Sequence, residues 1–550
     1  MFDSSLNPEQ RAEDVARLGK EQFDVLVIGG GINGVGVALD AITRGLSVAL
    51  VEAGDFASGT SSRSSKLIHG GLRYLEQYDF KLVREALHER ELLVSSLAPH
   101  LVKPVAFLYP LHEKVKERTY VGAGLALYDA LRGFKRALPG HKHLSQKTIS
   151  EIAPSLRTDV VTGAIRYFDA QVDDARHTMM IARTAKRHGA AIVTRAKVES
   201  LTKKGKRVTG AVITDLNTNK KITIKSSTVI MCAGVWSDEL HKKFGIEPGY
   251  EVKMSKGVHI TLPADAIKAD EGIIIKTAVS VLFIIPWKDQ WMVGTTDTEY
   301  IGDPSAPLAD RSDVQYIIEQ ANRMLSPRIS IDQVIGVFAG LRPLVANKKT
   351  TETTKLSREH TVDRPVPGFV SLAGGKYTTY RVMAKDAVDM ATNDITKLTN
   401  ESITAKLPII GADGYWALAQ QVDALATRFG LKQETIKHLL DRYGSDINEV
   451  LDLISDDRKL AAPISKNLPY LKAEIVYAVT FEGAQSISDV LEHRTRIWFE
   501  APNFGTDLVD ATADLIAPYL GWKVAQKRAS IAHYMDRVAA ATESASHLIK

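Results

Sequence analysis

The sequence predicts an α/β protein whose main domain is a doubly wound sheet, interleaved with an antiparallel β domain and followed by a helical carboxy-terminal domain. Three observations carry this. A short apolar run, 23–28 (FDVLVI), leads directly into Gly29, Gly31 and Gly34, spaced G-x-G-x-x-G. β-rich text such as 281–286 and 291–296 interrupts the segments that continue this first domain. Beyond about Leu398 apolar positions recur at helical spacing, in 415–429, 433–443, 447–454 and 522–542.

Length and composition set the outer bounds. At about 150 residues per domain, 550 residues make roughly three to four folding units. Apolar residues at 45% and charged residues at 25% are those of an ordinary soluble protein, and no apolar run approaches the roughly 18 needed to span a bilayer. A net charge of +5 on so long a chain is too slight to argue for nucleic acid. One cysteine, Cys232, permits no internal disulfide and no cysteine-based metal or cluster site, so no metal is expected. The polar start, 1–22, lacks the apolar core of a secretion signal and reads as a helical arm, which places the protein on the reducing side of the membrane, in the cytoplasm.

The glycine motif has a physical purpose. One glycine turns the chain, one lets the backbone approach a pyrophosphate, and one lets helix pack on strand, so that the diphosphate rests on the N–H groups of the helix start. A second strand, 46–51, ends at Glu52, near the roughly 20 residues past the first glycine where a ribose-binding acid is expected. No second fingerprint follows; Gly122-Ala123-Gly124 lacks the third glycine and the preceding strand. One dinucleotide site therefore holds either a nicotinamide cofactor or FAD.

After Glu52 comes AGDFASGTSSRSSKLIHGGLRYLE, 53–76, rich in small and hydroxyl residues that suit a backbone lying against a flat ring and a diphosphate. With GGGING before it, this tract closely resembles the FAD-dependent glycerol-3-phosphate dehydrogenases of the aerobic, quinone-linked type. Further blocks agree in order over about the first 400 residues: YFDAQVDDARHT at 167–178, CAGVWSD at 232–238, SKGVHI at 255–260, GLRPL at 340–344 and GGKYTTYR at 374–381. The resemblance implies non-covalent FAD and a Rossmann-like domain of the glutathione-reductase and D-amino-acid-oxidase kind. By position it implies FAD contacts from Ile32 and Asn33 beside the glycines, and from Thr60, Ser61, Ser62, Ser65, Lys66, Leu67, His69 and Gly71. Later blocks add Val198, Ala233, Gly234, Trp236, Gly340, Arg342, Gly375, Lys376, Tyr377 and Thr378.

The domains are expected to be discontinuous. An FAD domain would comprise 23–97, 166–251 and 366–398, with a strand meander between Ile192 and Cys232 whose turns fall at 204–206 and 217–220. A substrate-binding domain would comprise 98–165 and 252–365 and cover the flavin, with 399–550 as the helical domain. Lys81 to Leu97 reads as an amphipathic helix.

Oxidising a secondary alcohol requires a hydride acceptor, a base, and cations for an anionic substrate. FAD would supply the first. The resemblance sets Arg73, Tyr74, Arg342, Arg358 and Lys376 around the substrate, and an arginine fork suits phosphate because it donates two parallel hydrogen bonds. Arg342, between apolar neighbours in GLRPL, is expected to be buried and so to need an anion. His259 shares one face of a strand with Gly257 and Thr261 and is the candidate base, with His69 its rival; His259, Arg342 and Arg73 form the catalytic set. Lys376 is expected at the start of a helix aimed at the flavin, where lysine and helix dipole stabilise the reduced ring. Cys232 reads as a small buried residue.

Between Pro110 and Lys147 the basic Lys114, Lys116, Arg118, Arg132, Lys135, Arg136, Lys142 and Lys147 outnumber Glu113, Glu117 and Asp129 and interleave with Tyr120, Leu125, Leu127, Tyr128, Leu131 and Phe134. That suits contact with an anionic membrane surface, where a quinone is reached, and a solvated basic face is the plainer alternative. The expected activity is oxidation of glycerol 3-phosphate to dihydroxyacetone phosphate at the inner face of the cell membrane. An oxidase passing electrons to oxygen and making hydrogen peroxide, an amino-acid or amine oxidase, and a membrane-associated flavin-binding scaffold are the alternatives. The sequence leaves oligomeric state open, a homodimer included.

Overall fold

The computed structural model describes residues 3–546 except 77, 134–136, 278–280 and 348–358. Helix α1 (Pro8–Lys20) precedes strand β1 (Gln22–Ile28), helix α2 (Ile32–Thr43) and strand β2 (Val48–Val51). β1 lies parallel between β2 and the strand Lys220–Met231, so that Val25 faces Val48 on one side and Thr228 on the other. Every residue of β2 and the last four of β1 are buried, which is why both read as continuous apolar runs. The strand order of this eight-stranded sheet places β1 centrally, at the crossover where a dinucleotide is expected. The expected meander is present: Ala196–Lys204 pairs antiparallel with Arg207–Asp215, which pairs with Lys220–Met231.

A ten-stranded second sheet packs beside the first. Its long strands Tyr250–Pro263 and Gly336–Asn347 run antiparallel over twelve paired positions, with His259 opposite Phe338 and Ser255 opposite Arg342. This sheet is antiparallel as expected, apart from the parallel pairing of Gly272–Lys276 with Lys103–Leu111. The two sheets interleave more finely than the sequence suggests. Leu67–Ile68 and all of Gly163–Gln171 join the second sheet, whereas His360–Val366 joins the first.

The segment read as a polar arm is docked. Asn7 caps α1 by accepting from Gln10 N, Asp14 is buried and pairs with Lys186 at 2.6 Å, and Arg11 reaches Asp215 at 2.7 Å. The expected amphipathic helix is α3 (Phe80–Leu92), and α4 (Lys116–Leu131) follows it. Beyond Tyr415 the regular elements are helices, and two of them unforeseen from the sequence, Lys472–Thr480 and Val509–Leu520, contribute to the core of that region. Among the described residues no helix is long and apolar enough to cross a membrane.

Candidate active site

A cavity of about 1720 Å³ lies between the two sheets and reaches from the β1–α2 turn to the strands Tyr250–Pro263 and Gly336–Asn347. Its dinucleotide end is built by the glycines. Gly29 sits at φ +114°, where a Cβ would lie 2.5 Å from the Cys232 carbonyl oxygen, and a Cβ on Gly34 would collide with the Gly29 carbonyl. Ser61 Oγ accepts from Ile32 N at 2.9 Å, tying the tract after β2 to the start of α2. Asn33 Oδ1, on the cavity wall, is buried without a hydrogen-bond partner. Glu52 ends β2 and receives the N–H groups of Gly30 and Gly54, each at 2.6 Å, one on each carboxylate oxygen. That leaves a lone pair on each oxygen for a ribose hydroxyl, while burial raises the carboxyl pKa against the pull of the two amides. The cradle of backbone N–H groups at the helix start fits an FAD diphosphate, and the acid and the orphaned Asn33 acceptor fit groups that donate, such as ribose hydroxyls.

The two most distinctive sequence tracts meet at the other end. His69 N–H donates to Thr378 Oγ1 at 3.2 Å, and that hydroxyl donates back to the His69 carbonyl at 3.3 Å. Asp169 holds the Gly70 turn from beneath, accepting from Gly70 N at 3.3 Å, Tyr128 Oη at 2.7 Å and Arg90 at 2.5 Å. Lys376 precedes the short turn Tyr377–Thr379 and the helix Tyr380–Ala391, as expected, and its Nζ stands 3.6 Å from the centroid of the Tyr74 ring. Thr60 Oγ1 donates to the Leu341 carbonyl at 2.7 Å, so GLRPL closes over the TSSRSS tract.

His259 is 1% exposed on the cavity wall. Its Nε2 lies 2.9 Å from Ser65 Oγ, its ring stacks on Phe338 at 4.9 Å and 8°, and its Nδ1 has no partner. Burial, then the charges of Lys66 and Arg342, holds its pKa well below the ordinary histidine value, so the ring is neutral at physiological pH and able to accept a proton. Arg342 is only partly buried and already has an anion. Its Nη1 lies 3.3 Å from Asp297 Oδ1, and its Nη2 donates to Thr295 Oγ1 and the Thr296 carbonyl, each at 3.0 Å. Arg342 is thus half-buried where burial was expected, and Asp297 on the neighbouring loop is the anion beside its guanidinium.

Most residues singled out by sequence line this one cavity, among them Ile32, Leu67, Gly71, Val198, Ala233 and Trp236. Gly34, Ser62 and Lys66 do not. Gly34 packs helix on strand, whereas Lys66 is fully buried and ion-pairs with Asp174 at 3.0 Å, with the Ser62 carbonyl at the same distance. The Lys66 side chain therefore turns to Asp174 rather than to the cavity. Arg358 and the side chain of Arg73 lie outside the described residues. Thr295 and Asp297 were missed, although GTTDT directly after a buried strand was a visible signal; Arg63 and Phe283 on the wall carried none.

The fold and this cavity are those of a flavoprotein oxidoreductase with FAD as cofactor. Residues 24–388 match the FAD dependent oxidoreductase family, and 402–527 match the C-terminal domain of alpha-glycerophosphate oxidase. The chain belongs to the FAD-dependent glycerol-3-phosphate dehydrogenase family. It is 47% identical to glycerol-3-phosphate dehydrogenase 2 of Mycobacterium bovis over 537 residues, covering 98% of this chain and 92% of the relative. The mitochondrial glycerol-3-phosphate dehydrogenase of Mus musculus is 34% identical, with 95% and 74% covered. The crystal structure of glycerol-3-phosphate dehydrogenase from Bacillus halodurans complexed with FAD superposes with a TM-score of 0.77 at 28% identity, covering 98% of both chains.

Proposed function

We propose that this chain oxidises glycerol 3-phosphate at its secondary hydroxyl to dihydroxyacetone phosphate, passing electrons through FAD to a membrane quinone. The observation that carries the reading is a buried His259, hydrogen-bonded to Ser65 on the wall of a cavity that Arg342 and Lys376 also line. Bound FAD supplies the hydride acceptor. His259 takes the hydroxyl proton, with Ser65 on its Nε2 fixing the ring. Arg342, braced by Asp297, together with Lys376 and Tyr74 binds the phosphate, and Arg73 and Arg358 join this set on family resemblance. His69, whose backbone is stitched to Thr378, serves the flavin face rather than the proton.

We further assign 23–97, 166–251 and 366–398 to FAD binding, with α1 docked on them, and 98–165 and 252–365 to substrate binding. The acceptor reading rests on the cavity mouth. There Tyr78 is 79%, Tyr120 64%, Leu127 40% and Phe80 40% exposed, and all four line the opening. Arg118 on α4 turns to the Leu144 carbonyl and Arg132, just past its end, turns inward to Glu91 at 3.1 Å, whereas Lys116 stays exposed one turn from Tyr120. Of the segment expected to touch the membrane, Phe134, Lys135 and Arg136 lie outside the described residues.

Anaerobic mixing of the yellow protein with glycerol 3-phosphate tests the reaction: rapid bleaching is expected, and a flavin that stays oxidised leaves only a binding protein. Readmitting oxygen with and without a quinone analogue tests the acceptor. Fast recolouring only with the quinone is expected, whereas fast recolouring by oxygen with stoichiometric hydrogen peroxide makes the protein an oxidase.

A further inference from the structure

The segment 493–500 (HRTRIWFE) of the helical region reaches Asp55 and Asp174 on one side and Trp287 on the other. Arg494 donates to both oxygens of Asp55 at 2.7 and 2.8 Å, and Glu500 receives Trp287 Nε1 and Lys288 Nζ at 2.8 Å each. Between them Arg496, held at φ +148°, donates to the Ser62 carbonyl at 2.7 Å and to Asp174 at 2.5 Å. Lys66, itself at φ +57°, donates to the same two acceptors. Ser64 binds the second oxygen of Asp174 through its N–H at 3.0 Å and its Oγ at 2.6 Å. Two buried cations thus converge on one carboxylate and one carbonyl, and Asp173 adds a second anion 3.3 Å from Arg496.

On its other side this cluster touches the base. Lys66 Nζ stands 4.8 Å from the centroid of Phe338, the ring on which His259 stacks, and the next residue back, Ser65, holds His259 Nε2. Such a buried arrangement is weak as a source of stability, because well-packed apolar side chains of similar volume often do as well. Its position beside Ser65 and Phe338 gives it another purpose.

We propose that the carboxy-terminal helical domain is a working part of the active site: Arg496, through Asp174 and Lys66, fixes loop 62–66 so that Ser65 orients His259 and the Lys66 charge stands behind the ring. The inference rests on His259 as the base and names its positioning residues. The charged groups facing His259 are Lys66 and Arg342, and those facing Lys66 are Arg496, Asp174 and Asp173. Burial and Arg496 push Lys66 down to about 8, so it is still mostly cationic at neutral pH. A cation there disfavours a second positive charge on the imidazole. Removing it must therefore raise the pH at which the base becomes protonated.

The test compares flavin-loaded Lys66→Met, Lys66→Arg, Arg496→Lys and His259→Gln, with glycerol 3-phosphate and a soluble acceptor. Lys66→Met is expected to move the acid limb of the kcat/KM profile to higher pH, and Lys66→Arg to leave it in place. Arg496→Lys keeps the charge but loses the fork, so the limb stays and kcat falls about tenfold or more. An unmoved limb in yellow Lys66→Met overturns the proposal. Should that variant fail to take up FAD, an Arg496→Lys protein with wild-type kcat overturns it instead. A wild-type profile without an acid limb removes His259 as the base. A limb that His259→Gln abolishes but Lys66 does not influence removes only the present inference.

Discussion

At the scale of single residues, Arg342 shows what sequence reading reaches and where it stops. Its setting in GLRPL marked it as functional, yet nothing in the spacing revealed Asp297, 45 positions earlier, as its partner. Strand pairing alone brings them together, through Ser255, which lies opposite Arg342 and also bonds Asp297. On the proposed function, Arg342→Ala removes a phosphate ligand and strands the Asp297 carboxylate, which then repels the anionic substrate. We expect kcat/KM for glycerol 3-phosphate to fall roughly 30- to 4,000-fold, the equivalent of about 2 to 5 kcal/mol, with flavin content unchanged. Steady-state kinetics beside the flavin absorbance checks both halves. A tenfold or smaller loss would mean that other cations hold the phosphate. Lys66 went the other way: its place in the family tract suggested FAD, and only the fold discloses Asp174 and Arg496 beside it.

At the scale of elements, local chemistry decided what was legible. The β1–α2 turn could be read because its glycines answer to sterics that operate within six residues. Gly34→Ala would press a methyl group into the Gly29 carbonyl, and we expect that variant to be purified colourless and to regain no flavin absorbance when soaked in FAD. The helices at 472–480 and 509–520 could not be read. Lys472–Thr480 is buried on nearly every side and so shows no apolar stripe, and Val509–Leu520 carries Pro518 inside it. α1 looked like a free arm because its buried Asp14 finds Lys186 across the fold, at a separation of 172 residues.

The helix Asp174–Arg187 carries a pH prediction at this same scale. His177 is fully buried under Tyr377, and burial pushes its pKa down to about 3. The unfolded chain, with an ordinary histidine pKa near 6.5, binds a proton that the folded protein refuses. Stability is therefore full above about pH 6.5 and falls by up to about 1.4 kcal/mol per pH unit from this group as pH drops toward 3. His177→Gln should flatten that slope, measured as the urea midpoint between pH 6.5 and 4.5. An identical slope in the variant would assign the acid loss to other groups.

For the whole molecule, the order of domains was visible, because each keeps its own periodicity, but their interdigitation was not. Leu67–Ile68 and Gly163–Gln171 sit in one sheet while flanking residues belong to the other, and Arg494, Arg496 and Glu500 stitch the helical region into both sheets. The membrane reading also changes character at this scale. The sequence pointed to charge, whereas the fold turns Arg132 inward and leaves Tyr120 and Leu127 outward on α4, beside Tyr78 and Phe80 at the mouth of the flavin cavity. An apolar contact of this kind strengthens or holds with salt, whereas a purely basic contact is screened away within about 10 Å at 0.1 M ionic strength. Co-sedimentation with anionic vesicles should accordingly keep a salt-resistant component. Replacing Leu127 with Asp removes a side chain worth about 1.5 to 3 kcal/mol when buried, which corresponds to roughly 10- to 150-fold weaker partitioning. The same variant should reduce a soluble acceptor at the wild-type rate but a vesicle-embedded quinone analogue slowly. If its vesicle binding and quinone rate both match wild type, the mouth is not the face that meets the bilayer, and the electrons must leave by another side.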